Sequence, residues 1–293
     1  MPALIFDCDG VLADTELDGH LPAFNAAFAE FGLPINWDEA TYHRKLQIGG
    51  GKERIASEFS PSPAEPGSTE EPTKESASRR VEGQTDLIKR LHARKTQLFT
   101  ERVANGLLPG RPGVRRLIAA VLELGWTVAV ASTSAEASVR AVLEHVVGED
   151  LAAQCHVFAG DIVPAKKPAP DIYLKVVRDL QLEPAYCLVI EDSAIGVAAA
   201  RAAGLAVIVT ISAFTAEEDF TGAALVLDHL GDIDHSLTVV AAPARVRPVG
   251  MVTVSDLEDL LAAADVTPTA PVPDPTAPVI PGLTRDPDHQ EAP

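Results

Sequence analysis

The sequence predicts an α/β protein with a Rossmann-like parallel sheet, helices on both faces of that sheet, and an inserted α-helical cap domain. Short apolar runs typical of buried parallel strands recur along the chain, and helical stretches separate most of them. The segment from Glu16 to Leu108 contains no strand-like run. A connection this long between two parallel strands indicates a separate helical insertion.

The individual elements follow from apolar periodicity and from the glycines that end helices. The predicted strands, in chain order, are Ala3–Phe6, Thr127–Ala131, His156–Ala159, Cys187–Ile190, Ala206–Val209 and Ala224–Leu227. The helices between them are Val114–Leu124, Ala135–Val147, Asp171–Gln181 and Ile195–Ala203. Because strands alternate with helices, the pattern indicates βαβ units and a parallel sheet that is covered on both faces.

The remaining segments set the domain boundaries. Predicted helices of the insertion are Leu17–Phe31, Asp38–Leu46, Arg54–Phe59 and Thr85–Gly106. We therefore predict a core domain of residues 1–16 and 107–234, a cap domain of residues 17–106, and a C-terminal extension of residues 235–293 that includes a short helix, Asp256–Ala264. Residues 60–82 and the Pro-rich tail from about residue 266 are expected to be disordered, because they lack the apolar surface that offsets ordering entropy.

Composition excludes several classes of partner. The formal net charge is −18, so the surface repels nucleic acids and anionic membranes, and neither is expected as a partner. Apolar residues make up 46% of the chain, yet no run is long enough to span a bilayer. The three cysteines lack metal-ligand spacing and are typical of a reducing compartment. We expect a soluble, cytoplasmic monomer.

The first chemical motif, IFDCDGVLADTE, follows the first strand. Asp7 and Asp9 are two positions apart, and residues at this spacing on an extended chain point the same way. Their carboxyl groups should therefore converge beyond the carboxyl end of a strand, where open α/β sheets bind ligands. The alternative explanation is an ordinary turn, since Asp and Gly commonly end strands.

Three further strand ends carry polar side chains. Ser132 and Thr133 open a helix after the second strand, and Lys167 precedes the helix at Asp171. Glu191 and Asp192 follow a run of apolar residues and form a plausible oxygen site for Mg²⁺. Taken singly, these motifs have structural explanations: a helix N-cap, a solvated loop lysine and a charged turn. In a parallel sheet, however, the carboxyl ends of the strands lie at one edge.

This order of motifs resembles the haloacid dehalogenase superfamily over roughly residues 1–231. The resemblance implies an aspartyl-phosphate mechanism in which Asp7 is the nucleophile and Asp9 the general acid and base. It implies that Ser132, Thr133 and Lys167 hold the transferring phosphoryl group, with Lys166 as an alternative for the lysine. Mg²⁺ would be held by Asp7, by the backbone carbonyl of Asp9 and by Asp192, with Glu191 acting through a water or behind the other ligands.

The insertion supplies a candidate lid and a candidate specificity site. Hinges are expected near Asp14–Leu17 and Leu107–Gly110. The motif IGGGKERI places Gly50, Gly51, Lys52 and Arg54 in a glycine-rich basic loop that could hold an anion; a flexible loop with a solvated basic pair is the alternative. Candidates for contacts with sugar hydroxyls are Glu16, His20 and Tyr42.

A narrower resemblance follows from five runs of sequence. The segments DTELDGHLPAFNAAFAEFG, IGGGKERI, KKPAPDIY, IEDSAIGVAAARAAGL and FTAEEDF resemble the CbbY group, which is associated with bacterial Calvin-cycle operons and with plastids. That group includes phosphatases of xylulose 1,5-bisphosphate. A substrate with two phosphates suits two anion sites, one at Asp7 and the metal, the other at Gly50, Lys52 and Arg54.

The expected function is therefore a Mg²⁺-dependent phosphatase of a small sugar phosphate, with xylulose 1,5-bisphosphate as the favoured substrate. Three alternatives stay open. The first is a β-phosphoglucomutase-like phosphomutase, which would return the phosphoryl group to the sugar. The second is a phosphoglycolate phosphatase. The third is a non-catalytic protein that binds a phosphorylated metabolite.

Overall fold

A seven-stranded sheet forms the centre of the protein. The computed structural model describes residues 1–59 and 74–264. The strands are β1 (Ala3–Phe6), β2 (Thr127–Ser132), β3 (His156–Ala159), β4 (Cys187–Glu191), β5 (Ala206–Thr210), β6 (Leu225–Leu227) and β7 (Val239–Ala241). Their order across the sheet is β3-β2-β1-β4-β5-β6-β7. The first six are parallel, whereas β7 runs antiparallel to β6. The predicted α/β sheet is confirmed.

Helices surround the sheet and build the insertion. They are α1 (Leu21–Glu30), α2 (Glu39–Leu46), α3 (Gly51–Ala56), α4 (Lys74–Ala104), α5 (Val114–Glu123), α6 (Glu136–Val147), α7 (Glu149–Ala152), α8 (Asp171–Asp179), α9 (Ala194–Ala202) and α10 (Val254–Ala264). A π-helical turn, Glu16–His20, leads into α1, and a 3₁₀ turn, Pro184–Tyr186, precedes β4. Among the described residues no helix combines the length and the apolar character needed to cross a bilayer.

Alternation along the strands explains why both faces are covered. In β1, Leu4 and Phe6 point into one apolar cluster with α5, α6 and α10, while Ala3 and Ile5 point into a second cluster with α8 and α9. Successive side chains of a strand face opposite sides of the sheet. All four residues of β1 are fully buried, so this strand lies at the centre of the molecule.

The insertion has an apolar core of its own. Phe24 and Phe28 of α1 pack against Trp37, Tyr42 of α2 and Leu91 of α4, and all five side chains are buried. The aromatic rings of Phe24 and Phe28 each lie 4.9 Å from that of Trp37. These contacts explain how a helical segment without a strand folds as a compact layer over one edge of the sheet.

The structure differs from the prediction at two boundaries. The sheet continues past residue 234 with β7, and Leu257 and Leu260 of α10 are fully buried in the core. A three-residue, partly exposed edge strand carries too weak a pattern to predict. Helix α4 is described from Lys74 and so includes residues 74–82 of the predicted insert, where Lys, Glu, Ala and Arg favour a helix. Residues 60–73 and the predicted disordered tail lie outside the described residues.

Candidate active site

Residues from three adjacent strands meet at the carboxyl edge of the sheet. Asp7 directly follows β1, Ser132 ends β2 and Glu191 ends β4. Strand β1 lies between β2 and β4, so Asp7 stands between the other two residues. The amide of Asp7 donates a hydrogen bond to the carbonyl of Ile190 at 2.9 Å. The parallel pairing of the strands therefore fixes the nucleophile candidate in position.

A buried lysine connects these strand ends. Lys167 Nζ lies 2.6 Å from Asp7 Oδ1 and 2.7 Å from Glu191 Oε1, and donates to the carbonyl of Ala131 at 3.1 Å. The hydroxyl of Tyr173 donates to the same Glu191 oxygen at 2.5 Å. Lys167 is 7% exposed and Glu191 is fully buried. Burial alone would lower the pKa of Lys167, but the charges of Asp7 and Glu191 outweigh it and hold that pKa well above its usual range.

Three acids at this edge lie close enough to share a cation. Each of these residues, Asp7, Glu191 and Asp192, offers one carboxylate oxygen, and the three oxygens lie within 4.8 Å of one another. Burial, opposed by Lys167 and reinforced by neighbouring acids, raises the pKa of Asp7 to about 7. Burial, together with the charges of Glu191 and Asp7, also raises the pKa of Asp192 well above its usual range. This excess of buried negative charge and the all-oxygen donor set fit a hard divalent cation.

Asp9 has different surroundings from those of Asp7. Its carboxylate accepts hydrogen bonds from Thr15 Oγ1 at 2.5 Å, from His20 Nε2 at 2.8 Å and from the hydroxyl of Ser134. Burial would raise the pKa of Asp9, but the electrostatic interaction with His20 and these three hydrogen bonds outweigh it and hold the pKa below its usual range. Two nearby aspartates thus have pKa values shifted in opposite directions, a pattern typical of paired catalytic carboxyls.

The partner of Asp9 is itself held by a buried lysine of the cap. Lys95 of α4 is 5% exposed, and its Nζ lies 2.8 Å from His20 Nδ1. An ammonium group can only donate hydrogen bonds, so Nδ1 of His20 accepts from Lys95. The ring proton is therefore on Nε2, which donates a hydrogen bond to Asp9. Burial lowers the pKa of Lys95 to about 8. The cap therefore reaches Asp9 through two successive hydrogen bonds.

On the cap side of the cleft, three predicted residues form one cluster. The hydroxyl of Tyr42 donates to Glu16 Oε2, and Arg54 Nη1 lies 3.7 Å from Glu16 Oε1. Arg54 Nε also donates to the carbonyl of Ile48 at 3.0 Å. Tyr42 is fully buried and does not line the cleft. It donates to Glu16 and accepts from Arg54 Nη1 at 3.4 Å, so it orients both side chains.

Lys52 lies outside the cleft, in contrast with its predicted role. Its ammonium group pairs with Asp161 of the core, and the neighbouring Lys166 bonds Glu53 Oε1 at 2.8 Å and Asp161 Oδ1 at 3.0 Å. This four-charge network joins the glycine-rich loop of the cap to the loop that precedes α8. Lys52 and Lys166 are thereby occupied in holding the two domains together.

The structure brings most of the predicted residues into one cleft. Those that line it are Asp7, Asp9, Glu16, His20, Gly50, Gly51, Arg54, Ser132, Thr133, Lys167 and Asp192. Glu191 lies behind the cleft wall, against Lys167.

Several lining residues were not predicted from the sequence. They are Phe24, Leu46, Gln47, His92, Lys95, Ser193, Ile195, Ser212, Phe214, Thr215 and Glu218. The segment Ser212–Glu218 follows β5 and could have been found by the same strand-end rule as Asp7. Lys95 lies four residues from each of Leu91 and Phe99 on a buried helix face; a lysine inside such an apolar stripe is itself a signal.

The sequence matches the family of haloacid dehalogenase-like hydrolases over residues 1–204, and the sheet and strand-end acids described above agree with that match. The chain belongs to this family. Within it, the chain is similar to the CbbY proteins. It is 46% identical over 236 residues to the plasmid-encoded CbbY of Cupriavidus necator, covering 79% of this chain and 87% of that protein.

Two further comparisons agree. A CBBY-like protein of Arabidopsis thaliana is 46% identical over 230 residues, covering 78% of this chain and 69% of that protein. A crystal structure of a CbbY mutant from Rhodobacter sphaeroides in complex with xylulose 1,5-bisphosphate superposes with a TM-score of 0.68 at 35% identity, covering 80% of this chain and 98% of that chain. The family and these relatives make the present chain a phosphoric monoester hydrolase.

Proposed function

We propose that this protein is a Mg²⁺-dependent phosphatase of a small sugar phosphate, and that its preferred substrate is xylulose 1,5-bisphosphate. One observation carries the proposal: Asp7, held by Lys167 at 2.6 Å, lines the same cleft as Arg54 and the glycine-rich loop of the cap. A carboxylate nucleophile, a buried ammonium group and an acidic cluster at a single point suit phosphoryl transfer.

In the first step, an oxygen of Asp7 attacks phosphorus in line as the bond from phosphorus to the sugar oxygen breaks. The ammonium group of Lys167 and the hydroxyl of Ser132 line the cleft at the same edge of the sheet as Asp7. They stabilise the negative charge on the transferring phosphoryl oxygens. Lys167 also offsets the repulsion between Asp7 and an incoming phosphate dianion.

Asp9 moves the protons in both steps. In the first step it gives a proton to the departing sugar oxygen, and in the second it takes one from the water that cleaves the aspartyl-phosphate. The bonds from Thr15, His20 and Ser134 favour its ionised form, which is the form that accepts the proton. Entry of a phosphate dianion would favour the protonated form needed first, because like charges raise the pKa of an acid.

The metal would be held by Asp7, Asp192 and the backbone carbonyl of Asp9. When bound, Mg²⁺ supplies positive charge next to the phosphoryl oxygens. Glu191 would support the site without binding the metal directly. Its Oε1 accepts hydrogen bonds from Lys167 and Tyr173 and is not free to face the cleft. The raised pKa values of Asp7 and Asp192 support this assignment, because a bound cation would favour the ionised carboxylates that burial and the neighbouring acids disfavour.

The second phosphate of the substrate would lie on the cap side of the cleft, which Arg54, Gly50 and Gly51 line. Glu16 lines the cleft too and lies 3.7 Å from Arg54, so it is the candidate for a contact with a sugar hydroxyl. Lys52 is omitted from this subsite because it pairs with Asp161. A bisphosphate would then span the cleft from Lys167 to Arg54. The similarity to the CbbY protein whose structure contains xylulose 1,5-bisphosphate supports this choice.

The decisive experiment measures phosphate release with and without Mg²⁺ from xylulose 1,5-bisphosphate, glucose 1-phosphate and phosphoglycolate. We expect Mg²⁺-dependent release, with the highest kcat/KM for the bisphosphate. Preference for either comparator would overturn the substrate assignment, and isomerised glucose phosphate without free phosphate would identify a phosphomutase. Asp7→Asn should abolish turnover while leaving the protein folded; wild-type turnover in that variant, once deamidation is excluded, would refute the nucleophile assignment.

A further inference from the structure

One arginine at the cap–core connection binds backbone carbonyls from three separate loops. Arg111 Nη1 donates to the carbonyls of Gly10 and, at 3.0 Å, Thr210, while Nη2 donates to those of Asp228 and, at 2.5 Å, Ile211. The Arg111 side chain is 8% exposed. A guanidinium group holds its donors in a rigid plane, so it fixes these loops relative to one another.

Two of these carbonyls belong to the walls that enclose Asp192. A Cβ atom placed on Gly10 would lie 2.0 Å from Asp192 Oδ2 and 3.2 Å from Ser212 Cβ. Gly10 has φ of 74°, so it makes both the turn and the close approach that a side chain would prevent. Arg111 binds Gly10 directly and Ile211, the residue before Ser212. Arg111 thus anchors the two loops, at Gly10 and at Ile211–Ser212, that lie on either side of the Asp192 carboxylate.

The backbone of Arg111 is tied to the same region. Its amide donates to the carbonyl of Leu12 at 2.9 Å, and the preceding Gly110 forms an antiparallel bridge with Ala13. The two connections between cap and core are therefore paired with each other next to the Asp7–Gly10 loop. A change in the position of Arg111 would be transmitted to Gly10 both through the backbone and through the guanidinium group.

We propose that Arg111 is a positioning residue for the divalent metal site: it holds Gly10 and Ser212 so that the carboxylate of Asp192 faces Asp7. This inference rests on the proposed function, because it assumes that Asp7 and Asp192 share a cation. Arg111 has no contact with the reacting atoms and acts only through the loops. A lysine cannot replace it, since the guanidinium group makes four bonds to carbonyls from two nitrogens, whereas an ammonium group has three donors on one atom.

The test is the affinity for Mg²⁺ of the full chain, measured by calorimetry on metal-free protein with Arg111→Met and Arg111→Lys. We expect Mg²⁺ binding to weaken by about tenfold or more in both variants, because residues that orient metal ligands typically contribute this much. The Mg²⁺ concentration for half-maximal phosphatase rate should rise in parallel, with the rate recovering at high Mg²⁺. Arg111→Lys keeps the charge and gives a folded comparison if Arg111→Met is poorly stable.

Arg116→Met is the matched control. Arg116 also donates from a guanidinium nitrogen to backbone carbonyls, those of Leu230 and Gly231 at 3.2 and 2.9 Å, but it lies away from the cleft. It should lose thermal stability without losing Mg²⁺ affinity. Unchanged Mg²⁺ affinity in the Arg111 variants, or an equal loss in Arg116→Met, would overturn the inference alone. Failure of the wild-type protein to bind Mg²⁺ would overturn the proposed function together with it.

Discussion

Lys167 lies 2.6 Å from Asp7, although 160 positions separate them in the sequence. The same ammonium group is 2.7 Å from Glu191, so one cation is shared by two buried carboxylates. Removing one member of such a set leaves uncompensated buried charge. The first prediction follows from this arrangement.

Lys167→Met should lower kcat by about a hundredfold or more, in the range found when one stabilising donor is removed from a transition-state site. Lys166→Met is the matched control, because Lys166 pairs with Glu53 and Asp161 and does not line the cleft. It should keep kcat within about threefold of the wild type, since exposed ion pairs contribute little. Steady-state kinetics on both variants checks this; a larger loss in Lys166→Met would reassign the role to that residue.

Arg54 and Lys52 should differ in their effect on a bisphosphate substrate. Arg54→Ala is expected to reduce kcat/KM for xylulose 1,5-bisphosphate by about ten- to a hundredfold, the equivalent of one charge-assisted hydrogen bond. Lys52→Ala should change it by about threefold at most, because Lys52 pairs with Asp161 on the surface. Comparing each variant on the bisphosphate and on a monophosphate separates loss of the second-phosphate contact from a general defect. Equal losses in both variants would contradict the proposed subsite.

The raised pKa of Asp7 predicts how metal-free stability depends on pH. Burial raises that pKa from 3.8 to about 7, so the folded state binds this proton more tightly than the unfolded state does. Below about pH 4, Asp7 is protonated in both states and does not lower the free energy of unfolding. As the pH rises towards 7, the unfolded state loses this proton first, so the free energy of unfolding decreases. Asp7→Asn should raise the Tm at pH 8 by at least about 2 °C in EDTA and should lose this advantage at pH 4. A Tm difference that is the same at both pH values would be inconsistent with this.

The C-terminal helix should be part of the folded core. Leu260 of α10 is fully buried, so Leu260→Ala should reduce the free energy of unfolding by about 2–5 kcal/mol. Glu258→Ala, on the exposed face of the same helix, should change it by less than about 0.5 kcal/mol. Urea unfolding of both variants measures the difference. An effect of Leu260→Ala as small as that of Glu258→Ala would show that α10 does not pack as described.

The strand-end residues could be predicted from the sequence because their signals are local. Asp7, Ser132 and Asp192 each follow an apolar run, and a parallel sheet brings such ends to one edge. The six predicted strands agree with the observed ones to within a residue or so for the same reason. The role of Lys167 was implied only by the family resemblance, because a lysine before a proline is by itself typical of a solvated loop.

The remaining features depend on contacts between distant parts of the chain. The pairing of Lys52 with Asp161 spans 109 positions, and no pattern within the glycine-rich loop distinguishes a ligand-binding lysine from one that joins two domains. Arg111 likewise resembles any charged residue after a glycine, since its partners are backbone carbonyls. Strand β7 was missed because an exposed edge strand of three residues lacks an apolar period.

The order of the strands across the sheet also has a consequence for synthesis of the protein. Strand β1 is made first but stands between β2 and β4, and the cleft is completed only by the loop that ends at Glu218. A ribosome-bound chain shorter than this has its nucleophile but neither the closing wall nor, until residue 167 is added, the counter-ion. We therefore expect such a nascent chain to release no phosphate until nearly the whole core has emerged.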